Sequence, residues 1–103
     1  MANRRGKRWT EDELLLAFEL FQSTSVRPDA RDSQVQALAG LIGRTPSSVA
    51  LKLLNFRSVA TGGRNGMSHA SGLDRKVFLA ATSEPDQVRA RAAEAKLRLN
   101  RAP

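Results

Sequence analysis

The sequence predicts an all-α fold: a three-helix core, whose second and third helices form a helix-turn-helix over residues 33–58, with two additional C-terminal helices. Three observations predict it. Apolar residues recur at three- and four-residue spacing through most of the chain. Thr10 and Ser33 each stand three residues ahead of an acid or amide, Glu13 and Gln36, which is the spacing of a capping box. Gly43-Arg44-Thr45-Pro46 then sets a helix stop directly before a helix start. With 103 residues, 41% of them hydrophobic, the chain can bury one core, so residues 10–103 are expected to form one helical domain behind a flexible basic arm, residues 1–9.

The first helix should start at Thr10, whose hydroxyl can cap a free amide while Glu13 folds back and the neighbouring acids favour the positive end of the helix dipole. It should end near Gln22. Leu14, Ala17, Phe18 and Phe21 share a face, and Leu15, Leu16 and Leu20 widen it, so this helix needs partners on more than one side. Residues 23–32, with Pro28, read as a loop. The second helix carries Val35, Leu38, Ala39 and Ile42 and stops at Gly43. Thr45 can cap the third, and Pro46 suits its first position because its missing N–H would lack an intrahelical partner anyway. Here Val49, Leu53 and Phe56 line one face, leaving Ser48, Leu51, Lys52 and Asn55 on the other.

Beyond a glycine-containing loop, Ser71 and Asp74 can open a fourth helix with Leu73, Val77, Ala80 and Ala81. Ser83-Glu84-Pro85-Asp86 punctuates the chain and opens a fifth, with Val88, Ala92, Ala95 and Leu99 on a thin apolar stripe. That stripe suits packing across Leu16 and Leu20, a dimer contact, or continuation into a further domain.

The net charge of +7 favours a polyanionic partner. Its distribution is more informative. Arg4, Arg5, Lys7 and Arg8 crowd the arm, and Arg44, Lys52, Arg57 and Arg64 occupy residues 33–66 without an acid, whereas Glu11, Asp12, Glu13 and Glu19 make the first helix acidic. In a helix-turn-helix the second helix of the pair enters the major groove and presents side chains near its start to base edges. The candidate base-reading residues are therefore Ser47, Ser48, Leu51, Lys52 and Asn55. Asparagine can pair bidentately with adenine, lysine can donate to guanine or phosphate, and leucine can touch a thymine methyl or a methylated cytosine. Arg44, Thr45, Arg57, Arg64 and Asn65 are candidates for the DNA backbone. Arg4, Arg5, Lys7 and Arg8 fit either a minor-groove arm or a disordered tail.

Other chemistries fare worse. The chain has no cysteine and one histidine, so disulfides, thiolate zinc sites and multi-histidine metal clusters are excluded; no metal and no cofactor are expected. His69 has no nucleophile or cofactor motif beside it and reads as structural rather than catalytic. Glycines 62, 63 and 66 do not lead into the Gly-Lys-Ser/Thr ending of a phosphate loop. Trp9 is expected to staple onto the first turn rather than stack on a base. No run approaches the roughly 18 apolar residues of a membrane span, and the basic start leads into acids rather than an apolar signal core. A soluble, cytoplasmic protein without a catalytic site, a membrane or a small-molecule substrate is the expectation.

Trp9-Thr10 leading into Glu13-Leu14-Leu15, then Leu38-Ala39 and residues 43–49, resembles the Myb/SANT type of three-helix DNA-binding domain. Residues 8–18, 43–56 and 66–77 together resemble the amino-terminal domain that precedes HNH nuclease modules in bacterial restriction-type endonucleases, including modification-dependent ones. That resemblance implies a recognition or docking module for double-stranded DNA, methylated or otherwise modified, with a fused or partner HNH domain doing the cutting. The chain lacks the second histidine of an HNH centre, so DNA binding carries over and cleavage does not. The SANT resemblance implies an alternative, a protein-interaction module or small transcriptional regulator meeting an acidic partner.

Overall fold

A computed structural model describes residues 8–23, 26–62 and 72–101. Helix α1 (Glu11–Gln22) begins with a complete capping box: the Thr10 hydroxyl accepts from the Glu13 amide at 3.2 Å, and the Thr10 amide donates to Glu13 Oε1 at 2.8 Å. Every residue from Glu13 to Phe18 is buried, because α1 touches each of the other four helices. Its apolar surface, too wide for one stripe, fits a central position.

Helix α2 (Ser33–Ile42) is capped by Asp32, not by Ser33 as the capping-box spacing suggests. The Asp32 carboxylate accepts from the Gln34 and Val35 amides and also from Arg27, so one side chain both starts the helix and closes the preceding loop. A carboxylate that accepts several amides outcompetes a neighbouring hydroxyl for the cap. Gly43 ends α2 in the left-handed region at φ 71°, and the Arg44 amide wraps back to the Ala39 carbonyl at 3.0 Å.

Helix α3 (Pro46–Ala60) follows directly. Thr45 caps it through the Ser48 amide at 3.1 Å, and Pro46 takes its first turn. Helix α4 (Gly72–Ser83) buries Asp74, Val77 and Ala81; helix α5 (Pro85–Arg101) follows after Glu84 alone. Val88, Ala92 and Ala95 of α5 are buried, with Leu99 packed at the edge, so the thin stripe is an internal contact. Small alanines let α5 lie close on α1. Across that contact Arg98 holds Asp12 through two hydrogen bonds of 2.8 and 2.9 Å, and Arg91 pairs with Glu11.

The phenylalanines knit α1, α3 and α4 together. Phe18 meets Phe56 and Phe78 edge-on at 5.3 and 5.7 Å, and Phe21 lies 5.8 Å from both Phe18 and Phe56. Such geometries set the positive ring edge against a negative face. Among the described residues every regular element is helical, and no helix is long and apolar enough to cross a membrane.

Candidate nucleic-acid interface

The hydrophilic flank of α3 does not face outward as its local pattern suggests. The Lys52 side chain is only 12% exposed, and its ammonium lies 3.1 Å from both oxygens of fully buried Asp74 on α4. Asn55, one turn further on, is 4% exposed, and its Oδ1 finds no hydrogen-bond donor among the described residues. Arg44 is buried as well. Its guanidinium donates to Glu13 Oε1 at 2.9 Å and to the Arg8 carbonyl at 3.0 Å. Trp9, packed against the core, covers both cations: the Arg44 guanidinium is 4.8 Å and the Lys52 ammonium 5.2 Å from its ring centroid.

These positions correct the assignment of three residues. Lys52 and Asn55 are not placed to read bases, and Arg44 is not placed to grip a phosphate; each sits in the interior. The physical reason is long-range pairing. Asp74 comes 22 residues after Lys52 and Glu13 lies 31 residues before Arg44, and each buried carboxylate draws in one cation that helical periodicity alone assigns to solvent. Between Asp32 and Glu84 the sequence holds a single acid, Asp74; its isolation in a basic stretch was the available signal.

Two more candidates have their polar atoms engaged locally. The Thr45 hydroxyl serves the helix cap, and the Ser48 hydroxyl donates to the Thr45 carbonyl at 2.9 Å. The exposed residues of α3 are Ser47, Leu51, Arg57 and Ala60. Ser47 and Leu51, with half-buried Leu54, follow the i, i+4, i+7 line; Ser58, next on it, is buried, and exposed Arg57 lies to one side of it, about 80° round the helix from Ser47. From Ser47 to Leu54 this strip runs about 10 Å along the helix.

Arg8 is exposed at the end of the arm, and the bond from Arg44 to its carbonyl fixes where the arm leaves the domain: beside the α2–α3 turn. No carboxylate pairs with the Arg8 or Arg57 side chain among the described residues. Arg4, Arg5, Lys7, Arg64, Asn65 and His69 lie outside the described residues.

Glu13 and Asp74 are buried against Arg44 and Lys52, Glu11 and Asp12 face α5, and Asp29 pairs with Arg31. The hydrogen bond from Arg98, followed by its charge, holds the Asp12 carboxyl below its ordinary value, and amides of Arg27, Gln34 and Val35 do the same for Asp32. Helix α2 carries no charge, and the exposed charged residue of α3 is Arg57. Among the described residues no group of three or more His, Cys, Asp or Glu side chains gathers as a metal site would require. Comparison with family models, with curated proteins and with solved structures finds no match to this chain.

Proposed function

We propose that this chain is a double-stranded DNA-binding module in which α2 and α3 act as a helix-turn-helix. The strip Ser47–Leu51–Leu54 faces the major groove, and Arg8, Arg57 and the arm residues Arg4, Arg5 and Lys7 neutralise phosphates. One observation carries the reading. The helix pair from Ser33 to Ala60 contains no acid; of the acids bonded to it, Glu13 and Asp74 are buried against cations, and Asp32 is engaged in capping the first amides of α2. The resemblance to domains preceding HNH modules adds the setting: a bacterial, cytoplasmic recognition module, nucleoid-associated when bound, with cleavage supplied by a fused or partner domain. In this reading the chain contributes binding and no catalytic step.

A protein-interaction role is the second reading, favoured by Leu51, which is 47% exposed where a purely phosphate-binding surface needs no leucine. Salt dependence separates the two. Anisotropy of a labelled 30-base-pair duplex, titrated at about 50 and 200 mM salt, should show a log–log slope near −3.6 for about four phosphate contacts, a loss on the order of a hundredfold. Charge reversal at Arg57 (R57E) should weaken all duplexes alike and flatten that slope. Absence of duplex binding, or affinity indifferent to salt, overturns the proposal.

A further inference from the structure

We infer that Leu51 reads the 5-methyl group of a pyrimidine in the major groove, so that the preferred partner is duplex DNA carrying thymine or 5-methylcytosine at the contacted step. The inference rests on the DNA-binding reading and narrows it. A recognition helix discriminates bases with side chains from its first turns. In α3 the two that could pair bidentately with a base, Lys52 and Asn55, are turned inward, and the Ser48 hydroxyl is engaged by the Thr45 carbonyl. Ser47 and Leu51 remain on the outer line of those turns.

A leucine side chain offers no hydrogen bond, so the feature of the major groove it can distinguish is an apolar one. That feature is the methyl on C5 of thymine, which 5-methylcytosine shares and cytosine lacks. Charge complementarity favours nucleic acid as the occupant of this strip: exposed Arg57 lies beside it on the following turn, exposed Arg8 is tied through its carbonyl to Arg44 of the α2–α3 turn, and no acid lies on either helix. Ser47, one turn before Leu51, is positioned for a phosphate or a neighbouring base edge. The readout is consequently coarse, since methyl contact distinguishes pyrimidines that carry the group from those that do not.

The test changes the DNA without touching the protein. Alternating A·T duplexes are compared with the same duplexes containing uracil, which removes the methyl and keeps the hydrogen-bonding edge; G·C duplexes with cytosine or 5-methylcytosine form the second arm. Loss of one contacted methyl should weaken binding roughly fourfold, and Leu51→Ala should erase the difference in both arms. A difference confined to one arm assigns the methyl to that base and supports the inference. Equal affinity for methyl-bearing and methyl-free duplexes overturns it while leaving DNA binding in place, and so does a preference that survives Leu51→Ala. A Leu51→Ala chain that binds every duplex as before shows that Leu51 touches no base, and also overturns it. Failure of every duplex to bind removes the DNA-binding reading itself.

Discussion

Asn55 and Arg44 show how far a side chain's surroundings can depart from its neighbours in sequence. If Asn55 read adenine, truncating it would change sequence preference and spare stability. The structure places it inside with an Oδ1 that finds no donor among the described residues, so Asn55→Ala should leave sequence preference unchanged and shift stability by no more than about 1 kcal/mol, since the group lost makes little net contribution. Arg44→Ala should instead cost about 3–5 kcal/mol in urea denaturation, because it takes from buried Glu13 its guanidinium partner. Phe56→Ala, at the centre of the aromatic cluster, should cost a similar ~3–5 kcal/mol. An Arg44→Ala chain of normal stability that binds every duplex more weakly would return Arg44 to the phosphate backbone. Asp12 adds a pH dependence. Its carboxyl titrates below the ordinary 3.8 when folded, so its contribution to stability is complete above that value and is lost as pH falls below it. Replacing Arg98 with alanine should reduce the steepness of acid unfolding in that range, whereas unchanged acid unfolding would mean that the Asp12–Arg98 contact contributes nothing in solution.

The helix boundaries were the most legible feature of the sequence, because caps and stops act over three or four residues. Thr10 with Glu13, Gly43, and Thr45 with Pro46 all stand where their chemistry requires. Ser33 was one position off, since the choice between Ser33 and Asp32 turns on which side chain the backbone geometry aims at free amides. The orientation of α3 was legible on its apolar side only. Val49, Leu53 and Phe56 are buried as their spacing demands, but the opposite flank depended on Glu13 and Asp74, partners that no local window contains. Of the base-reading candidates, Ser47 and Leu51 keep an exposed position and Ser48 a half-buried one, while Lys52 and Asn55 do not. Two substitutions test the connection between α2 and α3. Thr45→Ala should cost about 1 kcal/mol through loss of the cap, and Gly43→Ala a similar amount, ~1 kcal/mol, because φ 71° is strained for a residue with a Cβ. Unchanged melting of both variants would show that the turn is less tightly defined than its hydrogen bonds indicate.

Across the whole molecule, charge is sorted by helix. The acids of α1 meet the bases of α5, two carboxylates are sealed inside with their cations, and α2 with α3 remains free of acid. This sorting gives α5 a structural duty: a chain ending before Pro85 should lose its cooperative thermal transition, because α1 would expose apolar surface now covered by Val88, Ala92 and Ala95. That α2 and α3, without an acid between them, meet a polyanion is the proposal on which the functional reading depends. Amide chemical-shift mapping of the isotope-labelled chain, titrated with duplex DNA, tests it most directly. The account predicts perturbations concentrated at Arg8 and along Ser47, Leu51 and Arg57, with the outer face of α5 from Arg89 to Arg101 unaffected. Perturbations centred on α5, or none anywhere at saturating DNA, would contradict it.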